Sequence, residues 1–399
     1  MPIPYIKQVH VNDCYTYQNI DIPIRPLTAF RHIVLTGKNG SGKTTILNRI
    51  AFQLSHFVSG KTKQDVSSNL QNLILGNPQH PHIFEWQAQL VELNGIALHF
   101  LEQTDSTIID QKNKFLFSFY KANRKVEFED VKTVISEDEL LKKLGTAENN
   151  KSTISQLKQY LVNKKVYQAF DMIDNRQESI QKTNEFFNKV QETLSKILKD
   201  PKLELIFIHE RFEFYIKYSD GRKVTFNQLS EGFSAFMSIM ADLFVRADII
   251  QKTNNDYVND IHGIVLIDEP ETHFHLSMQY EILPLITNFF PKVQLIIATH
   301  SPAVISSLQN ATVFDLTSKE EVADWLLGSS YSDLMIRHFG LENEFSPIAD
   351  KIIADISVAV KEKNKEKLEA ILETNANYLT PSLRLEIESQ IVKINTDQR

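Results

Sequence analysis

Three kinds of apolar spacing divide this chain. IKQVHV (6–11) alternates apolar with polar residues, and HIVLT (32–36) is a short unbroken apolar run, so both predict strands within 1–36. TTILNRIAFQLSHF (44–57) sets Ile46, Leu47, Ile50 and Leu54 on one face at helical spacing. Between 82 and 129, FEWQAQLVEL, IALHFLE, FLFSFY and KVEFED predict a β-rich stretch, with Asn94-Gly95 as a hairpin turn. Residues 136–200 are polar and poor in glycine and proline, and Phe187, Val190, Leu194 and Ile197 form a helical stripe. An inserted helical arm and an ordinary packed helical lobe fit that stripe equally well. Strands return over 203–226 (LELIFI, FEFYIKY, KVTF), followed by a helix at 229–250, the strand IHGIVLID, the helix SMQYEILPLITNFF and the strand VQLIIATH. Such alternation is the mark of an α/β sheet. Residues 302–399 read as mainly helical and charged, with KEKNKEKLEA a solvated face, and no repeat of 20–50 residues stands out.

Composition narrows the class. The chain has 399 residues, 42% of them apolar, enough for two or three domains or one large domain with an insertion. A net charge of −7 argues against a surface coated for nucleic acid, while leaving room for a local basic groove. The single cysteine, Cys14, excludes a disulfide framework within the chain and a structural zinc site built on cysteines. The start lacks the apolar block of a signal peptide, and the longest apolar runs, GIVLI and LIIA, are too short to cross a bilayer. A cytoplasmic protein with no membrane partner is the expectation.

The chemistry starts where glycine is concentrated. Three of only 12 glycines, Gly37, Gly40 and Gly42, fall within six residues, in GKNGSGKT (37–44). That string fits G-x-x-x-x-G-K-[ST], a loop whose bare backbone N–H groups wrap a polyphosphate and lead into a helix N-terminus. Lys43 would reach the β- and γ-phosphates and Thr44 would put its hydroxyl on Mg2+. A second element, GIVLIDEPE (263–271), ends a buried strand on Asp268 and Glu269, at the sheet edge where ligands bind in open α/β folds. Asp268 suits Mg2+ held through water, and Glu269 suits polarisation of an attacking water. In a third, VQLIIATHSP (293–302), His300 ends a strand expected beside that of Asp268, where it could donate a hydrogen bond to developing charge. Glu271, His273 and His275 have a spacing that could gather a metal; loop residues at a dimer interface is the weightier reading.

With LSEGFSAF (229–236), these pieces resemble the ABC-type ATPases, in the order Walker A, signature, Walker B, switch histidine. In detail they resemble the single-chain SMC/RecF/OLD-like branch, including the ATPase subunits of PARIS-type and Septu-type phage-defence systems. The implied fold is α/β: a P-loop ABC-ATPase head of mixed sheet flanked by helices with a β-rich lobe, a helical insertion and a helical C-terminal lobe. The expected boundaries are 1–135 and 201–315 for the two parts of the head, 136–200 for the insertion and 316–399 for the C-terminal lobe. The resemblance implies Gly37, Asn39, Gly40, Gly42, Lys43, Thr44 and Thr45 around the phosphates of ATP, Asp268 and Thr44 for Mg2+, Glu269 as catalytic base and His300 as switch. It implies Ser230 and Gly232 on the γ-phosphate held by a second copy, so that ATP joins two heads and hydrolysis parts them. The sequence departs from the usual pattern at Glu231-Gly232, where the signature has two glycines, and at Leu276, where a proline is common. Gln87, Gln89 and Gln103 all remain open for the Q-loop glutamine, and FYKANRK (119–125) is the alternative for that region.

The implied function is an ATPase that senses or scaffolds in an anti-phage complex and controls a separate effector, a nuclease being the first choice. The alternative is a RecF/SMC-like ATPase acting directly on DNA; the sparse pairs Arg124-Lys125 and Lys164-Lys165 give it little support. A nuclease-coupled ATPase cutting tRNA rests only on Arg337-His338. A transporter head fits poorly with the long separation of Lys43 from Ser230.

Overall fold

The computed structural model describes residues 5–59, 63–76, 82–101, 115–122, 130–136, 139–140, 157–254, 260–272, 274–323, 347–376, 378–379 and 381–397. The chain divides into two units, Met1–Gly328 and Ser329–Arg399.

The first unit is organised by a six-stranded sheet. Its strands are β3 (His32–Thr36), β5 (Phe115–Tyr120), β9 (His262–Asp268), β10 (Val293–Ala298), β11 (Ala311–Asp315) and β12 (Glu320–Glu321), in the order β12-β11-β3-β10-β9-β5. All neighbours are parallel except β12, which pairs antiparallel with β11. HIVLT, GIVLI and VQLIIA form its centre because a parallel sheet is covered on both faces, which an unbroken apolar run can satisfy and an alternating one cannot. Gly263 is needed for the pairing of β9 with β5, since a Cβ there would lie 2.3 Å from the Leu116 carbonyl oxygen.

Helix α1 (Lys43–Ser59) lies in the same core, with Ile46, Leu47, Ile50 and Leu54 all buried, as their spacing predicts. A second sheet, of β1 (Ile6–Cys14), β2 (Tyr17–Ile22) and β4 (Ile96–Phe100), is antiparallel in the order β2-β1-β4. One buried side chain ties it to the first. Gln294 on β10 accepts from the Ile6 N–H (2.8 Å) and donates to the carbonyls of Ile6 and Arg31 (2.8 Å each).

Between α1 and β4 the structure corrects the sequence reading. FEWQAQLVEL is not a strand: α2 (Lys63–Gly76) and α3 (Ile83–Gly95) pack as a helical pair, and β4 begins directly after Gly95. The apolar positions of this segment fit neither period cleanly, and only Ile83, Leu93 and Gly95 are buried in α3 while Phe84 and Val91 face solvent. Asn94-Gly95 therefore ends a helix and does not turn a hairpin, while FLFSFY is the expected strand, at the edge of the central sheet. KVEFED lies almost wholly outside the described residues.

For 157–197 the packed lobe is what is seen. Helices α4 (Leu157–Ile173) and α5 (Gln177–Ile197) form a hairpin against a third sheet of β6 (Glu204–Ile208), β7 (Glu213–Lys217) and β8 (Lys223–Thr225). Phe187 stacks on Phe214 with ring centroids 5.9 Å apart, and the buried Lys158 pairs with Glu213 (2.6 Å) and Asp130 (2.9 Å). Helix α6 (Glu231–Asn254) follows, anchored by Asp242, whose Oδ2 accepts from Tyr120 (2.5 Å), Ser118 (3.1 Å) and Arg246 (2.9 Å). SMQYEILPLITNFF breaks into α7 (Leu276–Gln279) and α8 (Ile282–Phe289), because Pro284 has no N–H to continue a single helix and is tolerated only in a first turn. Helix α9 (Pro302–Ser307) precedes β11, a strand that the reading of 302–399 as helical missed.

The second unit, within its described residues, comprises α10 (Pro347–Lys361), α11 (Lys365–Thr374) and α12 (Pro381–Asp397) around Ile352, Ile356, Ala359, Leu368, Ile387 and Ile394. In KEKNKEKLEA only Leu368 is buried, as a solvated face requires.

Candidate active site

The loop from Thr36 into α1 adopts a conformation that its glycines permit. Gly37, Gly40 and Gly42 all have positive φ, at 135°, 80° and 83°. At Gly42 a Cβ would also lie 2.7 Å from the Tyr15 ring. The left-handed backbone and the close approach each exclude a side chain there. Ser41 N–H closes a turn on the Lys38 carbonyl (3.1 Å), and the Gly42 carbonyl takes the Ile46 N–H (2.9 Å) to start the helix. Asn39 is exposed, and Thr44 and Thr45 occupy the first turn of α1.

Lys43 is buried and its ammonium bends back across the loop, donating to the carbonyls of Gly37 (2.8 Å) and Lys38 (3.1 Å). Burial lowers its pKa, and the carboxylates of Glu269, Glu271, Asp268 and Asp315 oppose that shift. A cation held inside a ring of acids by two weak carbonyl acceptors is poised for exchange onto an anion.

The loop is braced from two directions that the sequence did not reveal. Tyr17 Oη shares its one proton between the Ser41 carbonyl (2.6 Å) and the Leu316 carbonyl (2.8 Å), and Tyr15 Oη donates to the Gly40 carbonyl (3.0 Å). On the other side Thr317 Oγ1 accepts from the Lys38 N–H (2.8 Å), and the Thr317 N–H is held by Asp315 (2.7 Å). The first pair comes from the β1–β2 turn and the second from the end of β11, so no local signal could have marked them.

The three distant motifs meet at the C-terminal ends of neighbouring strands. Ala298 pairs with Asp268, and the Glu269 N–H donates to the Ala298 carbonyl (2.8 Å). Thr44 Oγ1 donates to Asp268 Oδ1 (3.1 Å), so the first turn of α1 and the end of β9 are in direct contact. Glu269 has φ +47°, in the left-handed region that a non-glycine residue adopts at a cost of about 1 kcal/mol or more. That turn sends the chain away from the sheet directly after the two acids. Glu271 comes back underneath and is only 6% exposed. Its Oε1 accepts from Thr299 Oγ1 (2.7 Å) and the His300 N–H (3.0 Å), and lies 3.2 Å from His300 Nδ1. Glu269 Oε1 is farther from the same nitrogen, at 4.0 Å. Ser301 then links this turn to α7 through Gln279 (2.6 Å) while capping α9.

The structure thus brings Lys43, Thr44, Asp268, Glu269 and His300 together. Ser230 and Gly232 stand at the start of α6: Ser230 is exposed, its carbonyl accepts the Ser234 N–H (2.9 Å), and Gly232 is buried. Among the described residues no hydrogen bond joins Ser230 to residues 37–45. The Glu271, His273 and His275 spacing falls partly outside the described residues, at His273; among the described residues no group of three His, Cys, Asp or Glu could hold a metal ion. Of the three Q-loop candidates, Gln87 and Gln89 lie on α3 and Gln103 falls outside the described residues. No helix among the described residues is long and apolar enough to cross a membrane.

The donor set fits the groups that the motifs imply. Thr44 and Asp268 are a hard-oxygen pair suited to Mg2+. The open backbone of 37–42 with Lys43 is a cradle for a polyphosphate, which a Cβ at Gly42 would disturb.

Several known proteins are similar to this chain in sequence. The chain is 24% identical over 363 residues to "Septu protein PtuA" of Bacillus thuringiensis, covering 84% of this chain and 85% of that protein. It is 26% identical over 195 residues to "Retron Vc95 probable ATPase" of Vibrio cholerae serotype O1 biovar El Tor, covering 49% of this chain and 34% of that one. A "Septu protein PtuA" of Bacillus mycoides (strain KBAB4) matches at 24% identity over 79% of this chain and 41% of its own length. The chain therefore spans most of one of these relatives and well under half of the other two. The likeness to Septu-type ATPase subunits expected from the motifs is borne out. Residues 33–306, from the strand before the phosphate loop to the helix after His300, match the profile of one family, and the chain belongs to it: "AAA domain, putative AbiEii toxin, Type IV TA system".

Proposed function

We propose that the protein binds ATP and hydrolyses it with Mg2+, and that nucleotide-driven association of two copies controls a separate effector in an anti-phage defence complex. The observation that carries this reading is the contact of Thr44 with Asp268 at 3.1 Å, beside a positive-φ glycine loop and within one cluster with Glu269 and His300. The defence context is supported by relatives named as a Septu protein and a retron ATPase.

In this reading the loop N–H groups and the N-terminus of α1 receive the phosphates, and Lys43 exchanges its two carbonyl partners for phosphate oxygens. Thr44 and Asp268 would hold Mg2+, which supplies charge neutralisation at the β- and γ-phosphates. Glu269 accepts a proton from the attacking water as general base. His300 donates to the charge that develops on the transferred phosphoryl group. Ser230, exposed at the start of a 24-residue helix, offers that N-terminus to the phosphate bound by a second copy.

Lys43→Ala removes the cation and abolishes binding of ATP, measured by calorimetry. Glu269→Gln preserves binding, lowers kcat by at least about 10²-fold and traps a two-copy assembly visible by light scattering. Turnover of Glu269→Gln at the parental rate removes Glu269 as the base. A Glu269→Gln chain that stays single with ATP removes the association of heads.

A further inference from the structure

We infer that Glu271 is a positioning residue for hydrolysis, holding His300 so that its Nε2 is the ring atom left for the nucleotide. The inference rests on the ATPase reading above. Three contacts carry it. Glu271 Oε1 takes the His300 backbone N–H (3.0 Å), takes the Thr299 hydroxyl (2.7 Å) and lies 3.2 Å from His300 Nδ1. Nδ1 is the ring nitrogen beside the Glu271 carboxylate, and Nε2 is on the opposite side of the ring. The residue is thereby held at its backbone N–H with the carboxylate beside one ring nitrogen, which leaves Nε2 for the site.

The burial pattern supports a function rather than a simple brace. Glu271 is 6% exposed while the imidazole it holds is half exposed. Among the described residues its second oxygen, Oε2, is buried without a hydrogen-bond partner. One buried glutamate oxygen reaches the Thr299 hydroxyl, the His300 N–H and the edge of the ring together. Glu269, farther from the ring at 4.0 Å, is left for the water. The two glutamates of DEPE thus divide the work: the first takes the proton and the second holds the switch.

The test is a double-mutant cycle on the full chain with Mg-ATP: parent, Glu271→Ala, His300→Ala and the double variant. Glu271→Ala is expected to lower kcat by about 10²-fold with KM changed less than about threefold, the cost of a misplaced group. Adding Glu271→Ala to His300→Ala is expected to cost less than about twofold more, because residues acting as a unit are non-additive. Glu271→Gln, which keeps an acceptor oxygen for the Thr299 hydroxyl and the His300 N–H, recovers most of the rate. Where Glu271→Ala does not fold, Glu271→Asp, one methylene too short, carries the same expectation in its place. Parental kcat in Glu271→Ala, or full additivity with His300→Ala, overturns the inference while leaving the ATPase reading intact. A parent chain that turns over no ATP overturns the ATPase reading and, with it, this role.

Discussion

Acid should loosen the strand that delivers the phosphate loop, and one histidine sets by how much. His32 opens β3, is 5% exposed, and accepts the Leu295 N–H at Nδ1 (3.0 Å). That acceptor role needs a neutral ring, and burial pulls its pKa from 6.5 down to about 4. Above pH 6.5 the ring is neutral in both folded and unfolded chains, and nothing is lost. As pH falls from 6.5 to about 4 the unfolded chain takes up a proton that the folded one refuses, so stability drops by about 1.4 kcal/mol per pH unit. Below that window both forms are protonated and the slope ends. The whole interval is worth about 3 kcal/mol, a large share of the stability of an ordinary domain. Other groups titrate too, so the measurement is a difference. His32→Gln keeps an acceptor for Leu295 and removes the titration. Urea unfolding followed by circular dichroism between pH 7.5 and 4 should give curves that diverge, the parent losing about 3 kcal/mol more than the variant. Parallel curves would refute the reasoning, since they would mean that His32 is not held neutral.

Two further substitutions probe the loop. Gly42→Ala meets both a φ of 83° and the Tyr15 ring at 2.7 Å, whereas Gly40→Ala meets the φ of 80° with nothing within 4 Å. Both should weaken binding of a non-hydrolysable ATP analogue, Gly42→Ala by at least about tenfold more than Gly40→Ala, as calorimetry would show. Thr317→Val keeps the side-chain shape and deletes the acceptor of the Lys38 N–H, so the analogue's Kd should rise about three- to tenfold with the melting temperature nearly unchanged.

What could be read from the sequence is what chemistry or burial forces into local residue order. A polyphosphate cradle demands glycine at fixed intervals before a lysine, so Gly37, Gly40, Gly42 and Lys43 announce themselves. A doubly covered strand demands an unbroken apolar run, so β3, β9 and β10 do too, and with them the positions of Asp268 and His300 at their ends. The reading failed where those demands are weak. FEWQAQLVEL became helix α3 because its few buried positions did not impose a period. ATVFD was missed because five residues between helical stretches carry little pattern, although β11 lies beside β3 and steadies the loop through Asp315 and Thr317.

The sequence by itself determined the strings proposed here to meet ATP, because each is contiguous and its spacing is of the kind a bound polyphosphate requires. Only the tertiary structure decided which acid holds His300, and that Tyr15, Tyr17 and Thr317 brace the loop. Those partnerships depend on strand order and on the left-handed turn at Glu269. Both arise from packing between segments far apart in the chain, and no single segment records them.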